Sequence, residues 1–259
     1  MIRKIIHPLL LTAVSIKYRR IHIKKYGFDI SNIGQPVIFV ANHSNGYDFP
    51  TISRVIKKHF FILADHTMKN DFVVNILNQL NGCVYVDRND KASRNISRQS
   101  LIDLLKHRNN ILLFPEGTWN LRPAELLLPL NWGVIGISNE LKIPIIPLGV
   151  IYSQNNAYVE IGNPYYPTDN LAYEINVLKD IMATLLWKNI SKTSLESHDY
   201  IKSLDYKQEQ LKTYTKLDLQ LESSVIRTEY TNSRDVLSHL NYIQSNHNTA
   251  FLFSKRNHN

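Results

Sequence analysis

Residues 37–48 read Val37-Ile38-Phe39-Val40-Ala41-Asn42-His43-Ser44-Asn45-Gly46-Tyr47-Asp48. The run Val37–Val40 is apolar at every position, as expected of a strand covered on both faces rather than one with a wet side. Asn42–Gly46 is a polar turn. A helix is expected to begin at Asp48, with Pro50 in its first turn, where a missing N–H does no harm. The same unit recurs along the chain. Phe60–Ala64, Cys83–Val86, Ile111–Phe114, Ile145–Ile151 and Tyr158–Ile161 read as buried strands. Helical patterns fall at Asp71–Leu80, Lys91–His107 (with Ile96, Leu101, Leu104 and Leu105 inward) and Gly133–Leu141. Apolar strands alternating with helices predict an α/β fold with a mostly parallel central sheet flanked by helices.

The ends of the chain differ from this middle. Residues 1–26 read as one or two amphipathic helices interrupted near Pro8, apolar from Ile5 to Ile16 and then cationic. Residues 1–40 hold seven lysines and arginines against one aspartate, six of the eight net positive charges of the 259-residue chain. A basic, amphipathic N-terminus fits a helix lying in the headgroup plane of an anionic membrane. It also fits an ordinary helix that caps the core. No run reaches the ~18 apolar residues expected of a membrane span. Lys17-Tyr18-Arg19-Arg20 follows where a cleaved signal would need small residues, so the segment is read as retained. At the other end, 171–190 is a helical pattern, 193–222 is polar and weakly helical, and 250–253 forms an apolar patch expected to dock. The expected division is a membrane-associating segment 1–30, a core 31–170 and a helical C-terminal extension 171–259.

Composition closes several routes. The single cysteine, Cys83, excludes an internal disulfide and a zinc site needing two thiolates. Its apolar neighbours predict an inert thiol. The serine-hydrolase elbow, the phosphate-binding P-loop, the dinucleotide fingerprint and the His-Glu-x-x-His zinc motif are all missing. No recognised nucleic-acid module accompanies the basic N-terminus.

Four segments place special residues at strand ends, the edge where open α/β sheets bind ligands. In the first, Asp48 can hold one ring nitrogen of His43 and leave the other as a base. Alone, the two also fit a helix N-cap beside a polar loop histidine. In the second, Tyr85–Arg88, the arginine can grip a phosphate, or pair with Asp87 at the surface. In the third, Phe114-Pro115-Glu116-Gly117-Thr118, a glutamate precedes a flexible glycine, as in an anchoring loop or a plain turn. The fourth, Ile143–Pro147, carries no reactive group and shapes a strand and the adjacent pocket wall.

In this order, the four resemble the acyltransferases that make phosphatidic acid from lysophosphatidic acid, and their glycerol-3-phosphate-using relatives. The matches are Asn-His-x4-Asp at Asn42, His43 and Asp48, Asp-Arg at Asp87-Arg88, Phe-Pro-Glu-Gly-Thr at 114–118 and Ile-Pro-Ile-x-Pro at 143–147. They span about residues 35–165. The resemblance implies a glycerol-3-phosphate acyltransferase-like fold, peripheral on the cytoplasmic side of a membrane. It implies transfer of a fatty acyl group from acyl-CoA or an acyl carrier protein to a lysophospholipid hydroxyl, with no metal or redox cofactor. His43 and Asp48 would be catalytic, and Asn42, Arg88, Glu116, Gly117, Thr118 and Arg122 would bind substrate. Two departures bear on the acceptor. Trp119 stands where the family usually has an arginine, and Asn131 where it often has a lysine. A sugar, glycan or other alcohol acceptor is therefore the alternative, with Trp119 and Trp132 available for stacking. A non-catalytic lipid-binding protein on the same fold is a further one.

Overall fold

A computed structural model describes residues 2–70, 79–120 and 125–193. Its centre is a seven-stranded sheet: β1 (His22–Gly27), β2 (Ile38–Ala41), β3 (Phe60–Asp65), β4 (Cys83–Val86), β5 (Asn110–Leu113), β6 (Ile145–Ser153) and β7 (Asn156–Ile161). The spatial order is β1-β7-β6-β2-β5-β3-β4. All neighbours are parallel except the β6–β7 hairpin. The helices are α1 (Ile2–Lys17), α2 (Asp48–Ile56), α3 (Lys91–Lys106), α4 (Gly133–Leu141) and α5 (Leu171–Ile190), with a short 3-10 turn at His66–Asn70.

Period-two alternation sorts the strand residues between two cores. Ile38, Val40, Ile111 and Leu113 face α3, α4 and α5 on one side. Phe39, Ala41, Leu112 and Ile146 face Ile52, Val55 and Ile56 of α2 on the other. Local chemistry sets the helix ends. Asp90 caps α3 by accepting from the N–H groups of Ala92 and Ser93. Asn170 caps α5 through the N–H of Tyr173. Lys57 and Lys142 close α2 and α4 in the left-handed conformation.

Three expectations change. Residues 22–27 are not helical: β1 pairs with β7 at the sheet edge, its register running from His22↔Asn156 to Gly27↔Ile161. The adjacent Lys24 and Lys25 mimic a cationic helix flank, but lysines also suit an edge strand that must stay soluble. Pro8 does not interrupt α1, which runs unbroken through it. Thr12 Oγ1 donates to the Pro8 carbonyl, and packing on α2 holds the helix together. Ile96 is 69% exposed rather than inward; Ser97, Leu101, Ile102 and Leu105 form the buried face of α3. The expected helix at 71–80 lies mostly outside the described residues, as do the readings for 194–259.

α5 packs directly on β6 and β7. Asn189, fully buried, donates from Nδ2 to the carbonyls of Gly149 and Tyr158. The contact leaves no room at Gly149, where an added Cβ would lie 2.9 Å from the backbone of Leu185. Gly149→Val is expected to destabilise the fold by roughly 2–3 kcal/mol through overpacking, read as a lower urea midpoint. An unchanged midpoint would mean that α5 is loosely seated.

Candidate active site

The parallel topology brings three of the four segments, and one more residue, to a single edge. β2, β5, β3 and β4 are consecutive in the sheet and run the same way. Their C-terminal ends therefore line up, delivering His43, Phe114–Gly117, Asp65 and Arg88 side by side.

His43 sits three residues beyond Val40, with its ring 22% exposed. Its Nδ1 is 2.8 Å from Asp48 Oδ2. Asp48 is fully buried, and its carboxylate also accepts from the N–H groups of Ser44 (2.6 Å) and Asn45 (2.9 Å) and from Ser44 Oγ (3.1 Å). Those groups precede the helix, so Asp48 does not cap α2; it folds the 43–47 turn back onto its own first residue. A carboxylate accepts from Nδ1–H and so leaves Nε2 unprotonated, ready to take a proton. The ring is clamped by Phe114, stacked at 4.1 Å and 18°, and by Trp119, edge-on at 5.7 Å.

Two expected substrate contacts turn inward instead. Asn42 Nδ2 donates to the Val150 carbonyl and its Oδ1 accepts from the Val150 N–H. The amide thus stitches the exit of β2 to β6 and is buried. Glu116 is also buried; Oε1 accepts from the His43 N–H and Oε2 from the Leu128 N–H, both at 2.8 Å. It braces the backbone of His43 rather than facing an acceptor. Buried backbone donors need such partners, and a side-chain acceptor was the one available at these loop positions. Burial pushes the Glu116 carboxyl up to about 8, against the lowering effect of those two hydrogen bonds.

Gly117 has φ of +78°, and its N–H donates to the Phe114 carbonyl. A Cβ there would meet Asn131 Nδ2 at 3.0 Å and Arg88 Nη1 at 3.1 Å, so both conformation and space require glycine. Thr118 follows, half-buried. Arg88 donates from Nη1 to the Gly117 carbonyl, and its Nε lies 3.8 Å from Asp65 Oδ2. Its acidic neighbour is therefore Asp65, not the adjacent Asp87. Asn131 ties the loop down, donating from both its backbone N–H and Nδ2 to the Pro115 carbonyl. Arg122 lies outside the described residues. Sequence reasoning missed Asp65 and the brace at Asn131. The available signal for Asp65 was an acid closing the apolar run Phe60–Ala64. Burial raises the Cys83 thiol to about 12, in keeping with an inert residue. Among the described residues, no group of His, Cys, Asp and Glu could hold a metal ion.

The sequence profile of the family described as Acyltransferase matches residues 22–151. The chain belongs to the acyltransferase family. A 1-acyl-sn-glycerol-3-phosphate acyltransferase of Saccharomyces cerevisiae is 25% identical over 178 residues, covering 65% of this chain and 57% of that protein. One from Salmonella typhimurium is 28% identical over 128 residues, covering 49% and 51%. The chain thus aligns with about half the length of these curated relatives. The crystal structure of the 1-acyl-sn-glycerophosphate (LPA) acyltransferase PlsC from Thermotoga maritima superposes with a TM-score of 0.60 at 16% identity, covering 76% of this chain and 83% of that one. The likeness is one of fold: the mixed, mostly parallel sheet with flanking helices.

The titration of Glu116 has a measurable consequence. Its folded-state value, about 8, lies above the ordinary 4.5, so the fold favours the protonated form. That contribution is fully present below about 4.5 and is lost as pH rises through about 8. Urea unfolding of the protein and of Glu116→Gln from pH 5 to pH 9 is expected to show the parent losing stability relative to the variant. A difference that does not change with pH would mean that the brace stays ionised throughout.

Proposed function

We propose that this acyltransferase moves a fatty acyl group from a thioester, acyl-CoA or acyl carrier protein, to the hydroxyl of a lysophospholipid, 1-acyl-glycerol-3-phosphate foremost. The observation that carries the proposal is the 2.8 Å contact between His43 Nδ1 and the fully buried Asp48. His43 Nε2 takes the hydroxyl proton as the oxygen attacks the thioester carbon. Asp48 stabilises the imidazolium that forms. The tetrahedral intermediate collapses, the C–S bond breaks, and the departing sulfur takes the proton back. Ester and free thiol result, without a covalent enzyme intermediate. Arg88, with the Gly117–Thr118 loop, is the candidate anchor for the acceptor's polar end. The names of the relatives support glycerol phosphate as that end.

A second acceptor class is favoured by a specific observation. Trp119 lies edge-on to the His43 ring, and Asn131 is spent on Pro115. Both positions carry neutral side chains beside the base, which suits a sugar or other uncharged alcohol. An acceptor screen separates the two. Purified protein would receive labelled acyl-CoA or acyl carrier protein with lysophosphatidate, glycerol 3-phosphate or a panel of sugar alcohols. Product from lysophosphatidate supports the first reading; exclusive acylation of a sugar overturns it. His43→Ala is expected to lower turnover by about 10³-fold or more with an unchanged fold. Near-parental turnover would remove His43 as the base.

The membrane reading falls on α1. Among the described residues, no helix is long and apolar enough to cross a bilayer. Leu9 and Ile16, seven apart on one face of α1, are 71% and 63% exposed. Beside them, a groove of about 500 Å³ between α1 and α2 is lined by Arg19, Arg54 and Lys57 together with Leu11 and Ile16. Apolar side chains flanked by cations suit peripheral attachment to an anionic leaflet, as on the cytoplasmic face of a membrane. Because β1 belongs to the sheet, the test leaves the chain whole. Leu9→Glu/Ile16→Glu is expected to reduce sedimentation with phosphatidylglycerol-containing vesicles by at least about tenfold. Undiminished sedimentation would rule α1 out as the membrane contact.

A further inference from the structure

Asp65 closes β3 and is buried, one position beyond the apolar run that carries it. The parallel register sets it beside Val86, two residues before Arg88. Its Oδ1 accepts from the Thr67 N–H at 3.0 Å and from Thr67 Oγ1 at 2.5 Å. This short Asp-turn fixes the carboxylate plane and aims Oδ2 at Arg88 Nε, 3.8 Å away. The opposite side of the same guanidinium, Nη1, donates to the Gly117 carbonyl.

A half-buried guanidinium with no counter-charge would swing toward water, because desolvation penalises it. A buried carboxylate with no counter-charge would be worse placed still. His66 Nδ1 also lies 3.4 Å from Asp65 Oδ1, on the edge away from Arg88. Facing each other, Arg88 and Oδ2 of Asp65 offset these costs, and the backbone of three loops is drawn together. The loops after β3, β4 and β5 meet at Arg88. Gly117 is bonded directly to Glu116, whose carboxylate holds the His43 N–H. A continuous chain of contacts therefore runs from Asp65 to the base.

We propose that Asp65 is a positioning residue for acceptor binding. It holds Arg88 by Nε against the Gly117 carbonyl and leaves the remaining guanidinium donors directed at the acceptor's polar end beside His43. The proposal rests on the acyl-transfer reading for its kinetic consequence but not for its geometric one. Asp65 itself touches no substrate.

Asp65→Asn is the direct test, since an amide keeps an acceptor for Thr67 while removing the charge. Steady-state kinetics with acyl-CoA and lysophosphatidate are expected to show the acceptor KM rising about tenfold, as for loss of one charge-assisted contact. The thioester KM should not change, and kcat should stay within about threefold. In an Arg88→Ala background the substitution should add nothing, because Asp65 acts only through Arg88. A second readout needs no activity: phenylglyoxal labelling of Arg88, followed by mass spectrometry, should be at least about threefold faster in the variant as its Nε contact is lost. Thr67→Val, which removes only the hydroxyl bond to Asp65, should shift both readouts in the same direction by less. It serves if Asp65→Asn does not fold. Unchanged Arg88 labelling, or kinetic losses that multiply with those of Arg88→Ala, would overturn the proposal. A parent protein that acylates no acceptor would instead remove the functional reading, while the labelling still decides the role of Asp65.

Discussion

A carboxylate with no exposure to solvent is tolerated only when its oxygens are occupied, and Asp48 is occupied on every side. Its Oδ2 takes the His43 ring and the main-chain donors of Ser44 and Asn45, and its Oδ1 takes the Ser44 hydroxyl. This one group therefore closes the turn between β2 and α2 and holds the Nδ1 edge of the histidine. The strand and helix can leave the sheet edge in only one way if all four contacts are to be made. The position of the His43 ring is a consequence of satisfying a buried charge.

Around that centre, other polar residues spend themselves on backbone. Asn42 joins β2 to β6, Glu116 joins the exits of β2 and β5, and Asn131 secures the loop between β5 and α4. Each is a polar side chain near His43 or its neighbouring loops, yet each meets main-chain groups that secondary structure leaves unpaired. The reactive edge of the sheet is rigid for that reason. At that edge the side chains of Asn42 and Glu116 are buried, while the His43 ring and Arg88 are partly exposed.

The N-terminal helix obeys a different constraint. α1 lies on α2, where Arg54 reaches the carbonyls of Tyr18 and Ile21 and fixes the link into β1. The chain then crosses to the far edge of the sheet, where β1 pairs with β7. The amphipathic helix is thus coupled through α2 to the turn that carries His43. Tyr18 and Tyr47, their rings 5.9 Å apart, mark the contact.

The α/β class and most strands and helices were legible in the sequence, and the pairing of His43 with Asp48 was one of two readings left open there, decided by the 2.8 Å contact. They depend on local periodicity and on residues five apart across one turn. The expected α4, Gly133–Leu141, and the expected helix at 171–190 coincide with the observed elements because their apolar faces and stop signals are local. Residues 22–27 were not legible as a strand, since an exposed edge strand with Lys24 and Lys25 side by side carries no apolar period and gains its identity only by pairing with β7. Ile96 shows the reverse error: an apolar residue at helical spacing faces water because Ser97 and Leu101 take the sheet side. The roles of Asn42, Glu116 and Asp65 belonged to tertiary structure alone. A sequence tells that a polar residue stands at a strand end. Only the parallel order β2-β5-β3-β4 decides which unpaired N–H, carbonyl or guanidinium comes within hydrogen-bonding reach of it.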